Sequence, residues 1–139
     1  MYSFSIVMSR QDFDSSSILV KDILTKAIFS VNTETTVFQV AKMMEQGGIG
    51  AVLVKKDGYL SGIVTDRDYA TKIVANNLSS DTSVGEIMSS PLITINHDES
   101  IYAAAVRMTT KKIRKLAVTN NGNVIGLITS TDLVTQLAK

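Results

Sequence analysis

An α/β fold of the α+β kind is predicted, built from two copies of one β-α-β-β-α unit packed about a pseudo-two-fold axis. Three observations predict it. The first is an internal repeat: shifting the 139-residue sequence by 64 lays Lys21–Ala75 over Gly85–Lys139 without a gap. Eleven of those 55 positions are identical: Ile23/Ile87, Asn32/Asn96, Ala41/Ala105, Met44/Met108, Ile49/Ile113, Val54/Val118, Gly58/Gly122, Gly62/Gly126, Thr65/Thr129, Asp68/Asp132 and Thr71/Thr135. That is about three times a chance level of roughly one in sixteen, and most other core positions exchange one apolar residue for another. The second is apolar spacing that alternates between helix and strand periods, and the third is a tight-turn pair at the same place in each copy. A unit of about 55 residues buries only about 60% of its unfolded surface. The copies are therefore expected to share one core and to leave two equivalent clefts.

Each copy reads in the same order. A short amphipathic turn (Val20–Leu24; Val84–Met88) leads into an extended apolar piece (Ile28–Val31; Leu92–Ile95). A helix follows, with apolar positions Val37, Val40, Ala41 and Met44, or Ile101, Ala104, Ala105 and Met108, at the i, i+3, i+4, i+7 spacing of one face. Thr36 and Ser100 stand where an N-cap belongs. A strand (Ala51–Lys55; Lys115–Thr119) runs into Lys56-Asp57-Gly58 or Asn120-Asn121-Gly122, hairpin turns of the Asp-Gly and Asn-Gly type, and then into a second strand, Leu60–Thr65 or Val124–Thr129. A helix from Arg67 to about Asn76, or from Thr131 to Lys139, closes the copy. The organisation expected is a polar N-terminal segment at 1–19, repeat one at 20–76, a linker at 77–83 and repeat two at 84–139.

Composition removes several function classes. Apolar residues make up 45%, enough for a core, and no apolar run approaches the ~20 residues of a membrane span. The start, MYSFSIVMSR, lacks the basic opening and apolar centre of an export signal. With no Cys there is no disulfide frame, no thiolate zinc site and no thiol nucleophile, so a cytoplasmic location is expected. The net charge of +1 argues against bulk nucleic-acid binding, although five basic residues and no acid lie between Ser100 and Thr131.

The strongest local feature is Gly62-Ile63-Val64-Thr65-Asp66-Arg67-Asp68, echoed by Gly126-Leu127-Ile128-Thr129-Ser130-Thr131-Asp132. In both, a strand ends on Thr and a helix starts with an Asp in its first turn. Thr-x-x-Asp is a capping-box pattern, and an acid near a helix N-terminus suits the macrodipole. The same residues could form a ribose-and-phosphate clamp, since a carboxylate accepts hydrogen bonds from both hydroxyls of a cis-diol while the Thr hydroxyl and free N–H groups face a phosphate. Gly62 and Gly126 would let a ligand or another backbone come close. One Asp can do either job, so both readings stay open.

The doubled pattern resembles a CBS-domain pair (a Bateman module). The resemblance rests on the Lys-Asp-Ile-Leu-Thr and Gly-Glu-Ile-Met-Ser openings, the capped Ala/Met helix, the strand-turn-strand and Gly-x-x-Thr-x-x-Asp, and it covers about residues 20–139. It implies a non-enzymatic sensor that binds adenosine-containing ligands (AMP, ADP, ATP or S-adenosylmethionine) between its repeats, with no obligatory cofactor. It further implies that Asp68 and Asp132 hold ribose hydroxyls, with Thr65 and Thr129 beside the phosphate or ribose. The Asp132 cleft would draw on Thr25, Phe29, Gly48 and Ile49, and the Asp68 cleft on Ser89, Ile93, Lys112 and Ile113. These positions are mostly small or apolar, as a pocket around a flat base requires.

The copies differ where phosphates should lie. Copy two has Lys111-Lys112-Ile113-Arg114-Lys115 before its strand, with Arg114 at a position that the resemblance links to phosphate; copy one has Gln46-Gly47-Gly48-Ile49-Gly50. The Thr129/Asp132 cleft is thus expected to prefer the more phosphorylated nucleotide and the Thr65/Asp68 cleft to be weaker or empty, with Arg67 a compensating cation. The cluster also suits the end of the Ser100–Thr110 helix, or a nucleic-acid backbone, though only Tyr102 is near to stack a base. His97 has no second His within ligand spacing and reads as a surface residue, so no metal is expected. Asp66 and Asp68 have no nucleophile beside them, which argues against an enzyme. The closing helices (Tyr69, Ala70, Ile73, Val74; Leu133, Val134, Leu137, Ala138) carry more apolar surface than one buried stripe needs, so a homodimer through helices is expected. The function expected is an adenine-nucleotide sensor that signals to an unidentified protein target; the alternatives are a ligand-free interaction scaffold and nucleic-acid binding through Lys111–Lys115.

Overall fold

The computed structural model describes residues 18–139, so the expected polar segment at 1–19 lies outside the described residues except for its last two. In chain order the elements begin with α1 (Val20–Ile23), β1 (Ser30–Asn32), α2 (Val37–Gly47), β2 (Ala51–Lys56) and β3 (Tyr59–Thr65). A single α-helical turn, α3 (Asp66–Asp68), runs on as a π-helical stretch (Tyr69–Val74), and a 3₁₀ turn (Val84–Glu86) opens copy two. There follow β4 (Thr94–Asn96), α4 (Ile101–Lys111), β5 (Lys115–Asn120), β6 (Asn123–Thr129) and α5 (Ser130–Leu137).

Each copy builds one three-stranded sheet, ordered β1-β2-β3 or β4-β5-β6, with the first pair parallel and the second antiparallel. The antiparallel pairs close through Asp57-Gly58 and Asn121-Gly122. All four turn residues have positive φ (53°, 83°, 52° and 81°), the mirror-image turn whose twist matches a hairpin. Both central strands are buried on two faces, at Ala51–Val54 and Leu116–Val118, which is why they read as continuous apolar runs. The expected N-caps form: the Thr36 hydroxyl accepts from Gln39 N–H (3.1 Å) and the Ser100 hydroxyl from Ala103 N–H (3.0 Å).

Where one shared core is expected from the sequence, the buried side chains instead divide into two clusters, and each contains the opening residues of the other copy. Residues 28–92 form one compact unit; residues 18–27 and 93–139 form the second. Val20, from the opening of copy one, is fully buried with Ile95, Ile101, Leu116, Val118 and Ile128 of copy two. Val84 and Ile87, from the opening of copy two, are buried with Val37, Val40, Val52, Val54 and Val64 of copy one. Full burial of one such side chain contributes about 1.5–3 kcal/mol, so neither copy completes its core with its own residues alone. The segments just before these openings also cap the neighbouring helices. Thr82 O and Ser80 O accept from Val37 N–H (2.8 Å) and Phe38 N–H (3.2 Å), while Ile18 O accepts from Ile101 N–H (3.0 Å).

The two repeated glycines explain how the exchanged openings seat. Thr25 and Leu127 exchange two backbone hydrogen bonds (2.8 and 2.9 Å), and Ser89 and Ile63 do the same (2.9 and 3.1 Å). A Cβ on Gly62 would come within 2.8 Å of Ser89 O, and one on Gly126 would overlap Thr25 O and the Leu24 side chain. Of the two roles open to these glycines in the sequence, the structure uses close approach of another backbone.

The closing helix of copy one departs from expectation. In place of one α-helix from Arg67 to about Asn76, α3 gives way to i→i+5 bonding, seen in Ala75 N–H to Ala70 O (3.1 Å) and Leu78 N–H to Ile73 O (3.0 Å). The stretch is tied down by side chains, because the Tyr69 hydroxyl donates to Val37 O (2.6 Å) and Lys72 Nζ to Ile87 O (2.8 Å). Burial, with the Asp68 charge beside it, pushes the Tyr69 hydroxyl up to about 12. The matching helix α5 is regular, with ends that differ from expectation by one or two residues as helix ends do.

Two outcomes test this architecture. Gly126→Ala is expected to destabilise the chain by roughly 2–3 kcal/mol, since the Thr25 backbone stands in the way as well as the Leu24 side chain and cannot swing aside; a melt within 1 °C of the parent would contradict the exchanged opening. The second concerns Glu99, whose carboxyl is held below its ordinary value chiefly by hydrogen bonds from Arg107 (3.0 and 3.2 Å), with a further one from Asn96 N–H (3.0 Å). A lowered folded-state pKa means stability that is complete above the ordinary 4.5 and lost as pH falls through the lowered value. Arg107→Gln is expected to cost about 0.5–1 kcal/mol at pH 7, a deficit that shrinks below about pH 4.5; a deficit constant down to pH 3 would contradict the assignment.

Candidate functional site

The end of β6 and the start of α5 form a closed local frame. Thr129 N–H donates to Asp132 Oδ2 (2.9 Å) and Asp132 N–H donates to the Thr129 hydroxyl (3.1 Å), which is the expected capping box. The frame fixes the Asp132 side chain by one oxygen. Its other oxygen, Oδ1, has no hydrogen-bond or ion-pair partner among the described residues, and the residue is only half-buried. Arg114 O accepts from Ser130 N–H (2.8 Å), and Lys115 faces Thr129 across the sheet, so the basic end of the α4–β5 connection lies beside the same helix start. Thr25 arrives against Leu127, two residues before Thr129. Four of the residues picked out in the sequence (Thr25, Arg114, Thr129 and Asp132) thus gather in one unit.

The matching frame in copy one carries the same motif in different surroundings. Asp68 Oδ2 accepts from both Thr65 N–H (2.8 Å) and the Thr65 hydroxyl (3.3 Å). Asp68 is 6% exposed, and its Oδ1 pairs with Lys72 Nζ at 3.1 Å. The same ammonium donates to Ile87 O (2.8 Å) and to the Ser89 hydroxyl (3.3 Å). Asp66 N–H donates to Gly50 O (3.2 Å), and the Asp66 carboxylate lies 3.3 Å from where a Gly50 Cβ would stand. An acid therefore occupies in copy one the place that Ser130, next to Arg114, holds in copy two. Arg67 is exposed in α3.

Thr65, Asp68 and Ser89 come together in the unit of residues 28–92, which also holds Phe29, Gly48 and Ile49. There Phe29 O accepts from Leu53 N–H (2.9 Å), Gly48 (φ 62°) ends α2, and Ile49 N–H donates to Met44 O (3.1 Å). Ile93, Lys112 and Ile113 belong to the unit of Asp132, where Ile93 O accepts from Ala117 N–H (3.1 Å) and Ile113 N–H donates to Met108 O (3.0 Å). Lys112 ends α4 with φ 57°, a left-handed position where copy one has glycine. A side chain there costs roughly 1 kcal/mol, so helix termination does not explain the choice of lysine. Lys72 is not among the residues the sequence singles out, and Tyr69 is named there only for its apolar surface. The Asp68/Lys72 i, i+4 spacing is a signal that could have found Lys72.

His97 is half-buried and serves through its backbone, which donates to Thr119 O and accepts from Lys21 N–H. Among the described residues, no group of three or more His, Cys, Asp or Glu could hold a metal ion, and no helix is long and apolar enough to cross a membrane.

Comparison with known proteins agrees with this geometry. The CBS-domain family profile matches residues 20–75 and again 84–139. The CBS domain-containing protein YhcV of Bacillus subtilis is 33% identical over 114 residues, which is 82% of this chain and 81% of that protein. A CBS-domain structure from Burkholderia ambifaria superposes with a TM-score of 0.76 at 37% identity, covering 81% of this chain and 83% of that one. The CBS domain pair of protein MJ0100, solved with 5′-methylthioadenosine and S-adenosyl-L-methionine, gives a TM-score of 0.77 at 30% identity over 86% of this chain and 95% of that one. With both halves matched and the duplicated Thr-x-x-Asp frames in place, this chain belongs to the CBS-domain family and carries a CBS pair.

Proposed function

We propose that the chain is a non-catalytic, cytoplasmic regulatory module that binds an adenine nucleotide (AMP, ADP or ATP) at the Thr129/Asp132 frame and passes the signal to a protein partner. The observation that carries this reading is Asp132 Oδ1, which has no partner among the described residues and is held in place by its own capping box beside Arg114. A carboxylate fixed by one oxygen presents the other to the hydroxyls of a ribose. The Arg114 guanidinium then supplies charge-assisted hydrogen bonds to phosphate, with Thr129 and Thr25 as neutral polar neighbours. MJ0100 supports the ligand class by its adenosine-derived ligands. Signalling follows from differential binding: the nucleotide shifts the module only as far as its affinities for two arrangements differ.

Exposed apolar side chains on the closing helices support association of two copies, with Val134 63%, Leu137 58% and Val74 76% exposed. Light scattering at tens of micromolar is expected to give a dimer, and Val134→Lys with Leu137→Lys a folded monomer; a monomeric parent chain would contradict this.

The nucleotide reading is tested by thermal shift with AMP, ADP, ATP, S-adenosylmethionine and NAD. A ligand at 100 times its Kd stabilises by about 2.7 kcal/mol, a Tm rise of roughly 8–12 °C at this chain length. Asp132→Asn is expected to abolish the shift. Arg114→Ala is expected to weaken ATP about tenfold while leaving adenosine nearly unchanged. No shift with any adenine nucleotide, or equal losses for ATP and adenosine, would contradict the assignment.

A further inference from the structure

We infer that Lys72 is a resident occupant of the Thr65/Asp68 frame that shuts this half of the pair to a ribose, so that the chain takes one nucleotide where its duplicated motif suggests two. The count of one rests on the proposed nucleotide reading of the Asp132 frame; the closure by Lys72 stands apart from it. An ammonium has three donors, and all three of Lys72 are placed, on Asp68 Oδ1 (3.1 Å), Ile87 O (2.8 Å) and the Ser89 hydroxyl (3.3 Å). Two of these acceptors are the groups a sugar would need: the free oxygen of the carboxylate and the hydroxyl that stands where copy two has Thr25. The other Asp68 oxygen already accepts twice from Thr65. A diol entering here must displace a cation from a carboxylate that is 6% exposed, and two neutral hydroxyls replace that charge poorly.

The counterpart of Lys72 under the 64-residue offset is Gln136, which is neutral and leaves Asp132 Oδ1 without a partner among the described residues. The lysine is also held from both sides, because the Tyr69 hydroxyl anchors the π-helical stretch to Val37 O (2.6 Å) while Ile87 O receives the ammonium. Lys72 is thus a specificity-determining residue, and it also staples the opening of copy two to the closing helix of copy one.

Calorimetric titration with adenosine and with ATP tests this on four forms of the full chain: the parent, Asp132→Asn, Lys72→Gln, and the double variant. The parent is expected to bind one ATP, Lys72→Gln to gain a second event, and the double variant to bind adenosine at least tenfold more tightly than Asp132→Asn alone. Lys72→Arg, which keeps the cation, is expected to stay closed. Lys72→Met replaces the Gln variant should circular dichroism show that the latter does not fold. Two ATP bound by the parent chain, or a double variant no tighter for adenosine than Asp132→Asn, would overturn the inference. A parent chain that binds no nucleotide would defeat the proposed function, yet the gain or absence of adenosine binding in the double variant would still decide the role of Lys72.

Discussion

Thr25 and Leu127 exchange a pair of backbone hydrogen bonds across Gly126, as Ser89 and Ile63 do across Gly62, and the rest of the structure depends on these two contacts. Each brings the opening segment of one copy against the last strand of the other. The apolar residues that precede it, Val20 in one case and Val84 with Ile87 in the other, then fill the core under that strand. A half-module of this size is marginal alone, and exchange makes the two halves mutually necessary. The same contact sets a hydroxyl-bearing residue, Thr25 or Ser89, against the residue two before the Thr of each Thr-x-x-Asp frame.

The duplicated frames show how one motif can serve two ends. In both copies the Asp of Thr-x-x-Asp accepts from the Thr N–H at the helix start, and in copy two the Thr hydroxyl completes the capping box. What separates them is the second carboxylate oxygen. In copy two it lacks a partner among the described residues and lies beside Arg114; in copy one it is buried and paired with Lys72, with Asp66 nearby. Duplication supplies the frames, and a few charged residues around them give the two copies different surroundings.

Much of this was legible in the residues. The 64-residue offset, the i, i+3, i+4, i+7 stripe led by Val37 or Ile101 and the Asp-Gly and Asn-Gly turns located the strands and helices within one or two positions, because each signal is local. The exchange of openings was not legible: Val20 and Val84 have the same apolar character whichever sheet they cover, and no local spacing states which strand Thr25 joins. The π-helical stretch was hidden as well, since Tyr69–Val74 has ordinary helix composition and its wider turn is fixed by the long-range ties of Tyr69 and Lys72. Arg114, Thr129 and Asp132 stand out in the sequence because they repeat or fail to repeat at the offset, and the structure gathers them in one unit. Lys72 was passed over because its importance lies in a pairing with Ile87 and Ser89 that sequence separation conceals.

Proton–proton NOEs across the glycine contacts test the exchanged architecture most directly, in the full chain and without any ligand. Cross-peaks should join Thr25 to Gly126 and Leu127, and Ser89 to Gly62 and Ile63, as the paired backbones require. Cross-peaks joining Thr25 to Gly62 and Ile63 of its own copy instead would mean that each half completes itself, and the account of both the core and the site would fail.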